Sequence, residues 1–422
     1  MKVLKKLFVL TLIFSITFAL SACGGKKETN DNSSSDSGGK KTLTVSVEEK
    51  YADYINSIKG DFEKQNDVTV KIVKKPMFEQ LEALPLDGPA GKAPDVMLAP
   101  YDRIGGLGQQ GNLLELSKED VSAFDEKDQQ QVTMDNKYYG VPFAIETLVL
   151  YYNKDLISSP PQTFSDLEEL AKDSKYAFES ESGKNTGFLA KWTDFYFSYG
   201  LLAGYGGYVF GDNGTNTKDI GLNNEGSVEA ITYATHWFQD IWPKGMKDVK
   251  SSGDFVTEVF TKGKAAAIID GPWSAENFKK ANLNFGIAPI PTLPNGNEYQ
   301  PFAGGKGWVA SNYTNEPELA KKWINYVTNE DNNYKFFEEY NEIPANPAAR
   351  EKAAGTDNEL AKAVIEQYKS AQPMPNIPEM AEVWTGMESI MYDAASGKKT
   401  PQEAADAAVK IIKDNIAQKY SK

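Results

Sequence analysis

A chain of 422 residues, 41% hydrophobic and 25% charged, is longer than one hydrophobic core ordinarily serves, so two domains are expected. Its formal net charge of −14 argues against nucleic acid as a partner. One histidine and one cysteine are too few for an internal disulfide or a thiolate metal cluster, and they all but exclude Ser/His and Cys/His nucleophile systems. No cofactor and no metal is implied, and only carboxylate chemistry stays open to an enzyme.

The first residues place Lys2, Lys5 and Lys6 ahead of an apolar run over 7–22, the pattern of an export signal. The run falls short of the roughly 20 apolar residues of a spanning helix. It is also interrupted by Thr11, Ser15 and Thr17. Leu20, Ser21, Ala22 and Cys23 resemble the lipobox of bacterial lipoproteins, which makes Cys23 the expected lipid-bearing residue of the cleaved chain, with a signal peptide over 1–22. Loss of that signal removes three lysines and takes the net charge from −14 to −17. Residues 23–41 are small, polar and charged, and are expected to form a flexible tether.

From Lys41 the pattern is strand then helix, repeated. Leu43, Val45 and Val47 alternate as in a half-buried strand, and Tyr51, Tyr54, Ile55, Ile58 and Phe62 follow at helical spacing. VTVKIV and PDVMLAP read as further strands, so a mainly parallel α/β sheet is expected. KYYGVPFAIETLVLYYNKDL is extended. A second α/β series opens on SDLE, residues 165–168, read as a capping box, and includes the strands AAAIID and NFGIAPIP. NEPELAKKWINYV is a helix with Pro317 at its start, and the last helix opens with a capping box of Thr400 and Glu403.

Several motifs fail on context. Gly106, Gly108 and Gly111 match G-x-G-x-x-G, but PYDRI separates them from the preceding strand and no long helix follows, which disfavours a dinucleotide site. DNGTNTKD, residues 212–219, lacks the glycine and terminal glutamate of a calcium loop and reads as solvated. His236 lies among helically spaced Tyr233, Trp237 and Ile241 and reads as structural.

What remains is acids beside aromatics near strand ends: PYDR, AIET, WTDFYF and DGPW. Sugars require this pairing, since their hydroxyls need charged acceptors while the C–H face of the ring packs on an aromatic plate. Each pair also has a plainer reading: Trp273 as a packing anchor, Glu146 in an interlobe salt bridge, Asp102 with Arg103 as a surface ion pair.

In MPNIPEMAEVW, residues 374–384, Pro375 and Pro378 set an extended approach, and Asn376 with Glu379 resembles a helix cap. Met380, Trp384, Met387 and Met391 share helical spacing, so periodicity alone assigns Trp384 to the core.

YDRIGGLGQQGNL, PFAIETLVLYYNKDL, GGYVF, GDFVTEVFTKGKAAAIIDGPW, MPNIPEMAEVW and DAASGKKTPQEA occur in the same order in maltose and maltodextrin-binding proteins, the solute receptors of sugar ABC importers, which this chain resembles from about residue 42 to its end. The resemblance implies a periplasmic-binding-protein-like α/β fold of two lobes, 42–145 plus 298–350 and 146–297 plus 351–422, hinged around a ligand cleft. It implies a lipid-anchored monomer on the outer face of the membrane that passes α-glucan oligosaccharides to a permease pair with a cytoplasmic ATPase.

By resemblance Asp102 and Arg103 hydrogen-bond sugar hydroxyls, Glu146 faces the cleft from the first crossover, Asp194 stands where Glu is usual, Tyr196 and Trp273 stack on sugar rings, and Trp384 is a further plate. Glu49 and Lys50 match an acid and a lysine on the first sugar. Ala99 stands where relatives carry tryptophan, with Tyr101 the neighbouring candidate for its stacking surface, while Thr385 and Glu388 replace an expected tyrosine and arginine. Two rival readings stay open from the residues: a glycosidase using Asp102, Glu146 or Asp194, and a receptor for another solute.

Overall fold

The computed structural model describes residues 40–420. The expected signal peptide, Cys23 and all of the tether except Lys40 and Lys41 lie outside the described residues. Lys41 pairs with Val68, so the first strand begins at Lys41, where its pattern places it.

The strands are β1 (Lys41–Val47), β2 (Val68–Lys74), β3 (Val96–Pro100), β4 (Thr133–Met134), β5 (Lys137–Tyr138), β6 (Val141–Glu146), β7 (Val149–Asn153), β8 (Phe188–Ala190), β9 (Ala267–Asp270), β10 (Phe285–Ala288), β11 (Phe302–Ala310), β12 (Ile343–Pro344) and β13 (Gln372–Pro373). A seven-stranded sheet has the order β12-β6-β11-β3-β1-β2 with β13 on β11, and a four-stranded sheet has the order β10-β7-β9-β8. Two sheets, each clothed in helices, make a two-lobed α/β fold.

Neither sheet is mainly parallel. β1 runs parallel to β2 and β3, but β11 is antiparallel to β3 and β6, and β7 is antiparallel to β9 and β10. The antiparallel strands are those by which the chain passes from one sheet to the other. β6 leads directly into β7, and β10 returns to β11, so these strands enter a sheet without the covering helix that enforces parallel pairing. The β6–β7 passage is pinned by Thr147, fully buried, whose Oγ1 donates to the Phe302 carbonyl at 2.9 Å.

Helix α1 (Ala52–Asn66) buries the stripe Tyr54, Ile55, Ile58 and Phe62, as its spacing dictates, and Asp67 closes it in the left-handed conformation. Trp308 and Trp323 in one lobe and Trp192, Trp237 and Trp242 in the other are fully buried core residues. Two helix starts differ from the sequence reading. The capping box before the helix Phe164–Lys172 is made by Thr163 and Asp166, upstream of Ser165. Asn376 caps nothing: its Nδ2 donates to the Gln131 and Thr133 carbonyls at 3.1 and 2.9 Å. The Thr400–Glu403 box is present, with Thr400 N donating to Glu403 at 2.9 Å.

The glycine run has a packing role. A Cβ on Gly105 would lie 2.5 Å from the Asn376 carbonyl oxygen, and one on Gly108 would lie 2.4 Å from the Tyr139 ring, while Gly111 turns the chain at φ 76°. The glycines of α3 (Tyr101–Gln109) are therefore a docking face for residues 376–378 and for Tyr139. Residues 212–219 form a tight loop, Gly211 N donating to the Asp219 carbonyl at 2.9 Å, and His236 pairs with Asp240 at 2.7 Å on an exposed helix surface.

Candidate functional site

β3 ends in Pro100 and α3 starts immediately, which lifts Asp102 and Arg103 onto the first helical turn at a sheet's C-terminal edge. Arg103 Nε is 3.4 Å from Asp102 Oδ2; the arginine side chain is 53% exposed and the aspartate 17%. Burial raises the Asp102 pKa and the adjacent guanidinium only partly offsets it.

Glu146 is the last residue of β6, at the passage between sheets. Burial also raises its pKa, against the pull of Lys306. Lys306 is in the middle of β11 and pairs with Glu342, and Tyr51 donates its hydroxyl to the same carboxylate. Lys306 Nζ lies 3.3 Å from Tyr51 Oη. Burial by itself would depress the lysine, but Glu342, Tyr51 and Glu146 hold its pKa above the ordinary value, and the lysine in turn holds Glu342 below its own despite burial. The trio forms a charged wall behind Glu146.

Asp194 is the N-cap of the helix Phe195–Gly204: its Oδ1 accepts from Tyr196 N at 2.9 Å and its Oδ2 pairs with Lys191 at 3.0 Å. This cap presents Tyr196. A Cβ on Gly304 would fall 3.0 Å from Tyr196 Oη and 3.2 Å from Glu146 Cγ, so tyrosine and glutamate meet over the bare Gly304 backbone. The Tyr196 hydroxyl is buried with no hydrogen-bond partner among the described residues. Burial, Glu146, Asp102 and Asp194 all push its pKa up, which keeps it a neutral donor and acceptor.

β9 ends at Asp270, which accepts from Gly271 N at 2.7 Å and Ser274 Oγ at 2.8 Å and so holds the turn carrying Trp273. The Trp273 ring lies over Gly271, where a Cβ would meet it at 2.1 Å, and stands 6.0 Å from the Tyr196 ring at 53°. Trp273 is 49% exposed, so it is not a core anchor.

Trp384 is in the helix Met380–Met387, where Met380, Val383 and Met387 are buried. Its ring is half-buried, edge-on to Phe195 at 5.7 Å and Phe302 at 5.9 Å. The extended approach from β13 is held on α3 by the glycine contacts and by Asn376, which sets where this helix begins.

Two cavities flank the Glu146–Tyr196 contact. One, of about 350 Å³, is lined by Lys50, Glu146, Trp273 and the Lys306, Glu342 and Tyr51 trio. The other, of about 550 Å³, is lined by Asp102, Arg103 and Trp384, with Phe78 beside them. Six of the sequence-derived residues thus line one or other cavity and Tyr196 lines neither, with three corrections. Glu49 is 76% exposed, pairs with Lys74 at 2.7 Å and lines neither cavity. Tyr101 is fully buried, its ring against Gly305, and offers no face to a sugar. Asp194 acts on the cleft through Tyr196 and Lys191, since both its oxygens are engaged.

Phe78 and the Lys306–Glu342 pair were not singled out from sequence. Lys306 had a signal: it is the one charge inside the strand FAGGKGWVA. Phe78 had none, because an aromatic near a helix start reads as core.

The cleft between two α/β lobes, lined by acids and half-exposed aromatics, defines an extracellular solute-binding protein. The family model for bacterial extracellular solute-binding proteins matches residues 58–363, and the chain belongs to that family. It is 64% identical over 422 residues, 100% of both chains, to the maltodextrin-binding protein MdxE of Bacillus subtilis. It is 46% identical, over 99% of both chains, to a maltooligosaccharide ABC transporter solute-binding lipoprotein of Streptococcus pneumoniae. Among solved structures it is similar to a maltose-binding protein from Listeria monocytogenes in complex with maltose, at 67% identity and TM-score 0.89, covering 91% of this chain and 100% of that one.

Proposed function

We propose that this protein is the receptor of a bacterial sugar importer, binding α-1,4-linked glucan oligosaccharides between its lobes and delivering them to a permease pair driven by a cytoplasmic ATPase. In this reading it is a monomer held to the outer face of the membrane by a lipid on Cys23, and it performs no covalent chemistry. The observation that carries the ligand class is Tyr196: a neutral, unpartnered hydroxyl that shares the Gly304 backbone with Glu146, with its ring 6.0 Å from that of half-exposed Trp273. Buried polar groups ordinarily have partners, and a sugar supplies both hydroxyls and an apolar ring face at that spacing. The sugars bound by the relatives support the same class.

The division of labour follows from the geometry. Trp273 and Trp384 act as plates, the first turned by Gly271, the second fixed by Phe195 and Phe302. Arg103 donates and Asp102 accepts from one wall; Glu146 accepts and Lys50 donates from the other. Asp194 is a positioning residue for Tyr196. Ligand hydroxyls donated to Asp102 and Glu146 stabilise the ionised carboxylates that burial disfavours, so binding draws both pKa values back down. Since Asp102 and Trp273 belong to different sheets, a bridging sugar contacts both only when the lobes are shut, and closure about the β6–β7 passage is driven by that difference.

Calorimetry with maltose, maltotetraose and cyclodextrin tests the assignment. Saturable heat with linear maltodextrins is expected, and silence with all of them refutes it. Release of shorter sugars from maltotetraose would show a glycosidase instead.

A further inference from the structure

We infer that Phe78, with Trp384, forms an outer subsite that sets the preference for longer oligosaccharides. The inference rests on the maltodextrin reading above and specifies which part of the cleft reads chain length.

Ala99 is fully buried and Tyr101 beside it shows no surface, so the end of β3 carries no stacking group. The neighbouring helix α2 (Met77–Asp87) does. Leu81 and Leu84 anchor α2 in the core, which leaves Phe78, Glu82 and Pro85, at positions i, i+4 and i+7, on the cavity face. Phe78 is 51% exposed, and a large aromatic left half in water on a helix with a satisfied core face has surface to offer. Its ring centroid is 5.9 Å from the Arg103 guanidinium carbon, so a planar apolar surface and a fork of donors stand side by side on one wall. Trp384 lines the same cavity. The volume between them, about 550 Å³, lies within the range of small-molecule sites, ~300–1,000 Å³.

Position makes this a length reader. Phe78 and Trp384 line the larger cavity and Trp273 and Glu146 the smaller, with no residue common to both. Tyr196, its ring 6.0 Å from that of Trp273, stands on the side of the smaller cavity. A sugar confined to the Trp273 cavity therefore makes no contact with Phe78, whereas one that fills both cavities does.

The test is titration calorimetry of the wild-type chain, Phe78→Ala and Phe78→Tyr with maltose and maltohexaose, with apo melting recorded for each. Phe78→Ala is expected to lose maltohexaose affinity on the order of tenfold, the scale of one aromatic contact, with maltose changed less than about twofold. Phe78→Tyr keeps the ring and keeps the preference. Equal loss for both sugars, or no loss for either, overturns the outer subsite while leaving the maltodextrin reading intact. A wild-type protein that binds neither sugar overturns both.

Discussion

Truncating Trp273 to alanine removes a plate without removing a core residue. A tryptophan offers on the order of 150–250 Å² of contact area. With 49% of it exposed, about 100 Å² remains for a ligand to cover. At ~25 cal/mol per Å² full coverage is worth about 2.5 kcal/mol, so imperfect coverage gives about 1–2.5 kcal/mol, or about five- to seventyfold in Kd. The empty protein should melt almost normally, since Trp273 is half-exposed and its ring contacts with Tyr196 and Phe197 are at 6.0 and 6.5 Å. Calorimetry with maltotetraose reads the affinity and thermal melting reads the fold. Gly271→Ala is the companion variant: its φ of −91° suits alanine, but the added carbon displaces the ring, so affinity should fall with the tryptophan still present. A Trp273→Ala protein that binds normally, or that unfolds while its folded fraction binds normally, refutes the plate.

Lys306→Met leaves Glu342 charged in a buried pocket and should cost about 3–5 kcal/mol in chemical denaturation at pH 7. The sign of its pH dependence is also set. In the wild type Glu342 lies below its unfolded value near 4.3, so its stabilisation is full above that pH and is lost as pH falls through the folded value. Without the lysine, burial raises that carboxyl, so the deficit of the variant should shrink on acidification; a deficit constant with pH contradicts the pair. Asp194→Ala should cost about 1 kcal/mol in melting through the lost cap and also weaken sugar binding by freeing Tyr196, whereas Asp194→Ser retains the cap. Intact binding in the alanine variant would show that the cap does not position Tyr196. Gly105→Ala forces a carbon against the Asn376 carbonyl and should destabilise by about 1–3 kcal/mol, with proteolysis first exposing residues 372–380; an unchanged melt would mean that segment gives way freely.

The local signals in the chain were sufficient for the alternating elements, the stripe of α1, the Thr400–Glu403 cap and the acid–aromatic pairs, because each depends on residues within a few positions of one another. Family resemblance, again a property of sequence, implied one cleft for Asp102, Arg103, Glu146, Tyr196, Trp273 and Trp384; in the structure Asp102, Arg103 and Trp384 line one cavity, Glu146 and Trp273 line another, and the Tyr196 ring is 6.0 Å from Trp273. Periodicity misjudged Trp384, since a residue at the border of a buried stripe satisfies the same spacing as one at its centre.

Contacts between distant segments lay beyond local reading. Whether Tyr101 or Phe78 is left in the open depends on Gly305 reaching the one and on Leu81 and Leu84 turning the other outward. Asn376 looked like a cap because its neighbours allow one, but α3 carries glycines where its backbone arrives, and the amide is spent on the Gln131 and Thr133 carbonyls. Lys306 and Glu342 are 36 residues apart and become a pair only when β11 and the start of β12 flank β6. Sequence by itself determined which residue types would meet a sugar; tertiary structure decided which of them face it, because exposure belongs to the packing of distant segments and not to the spacing along one.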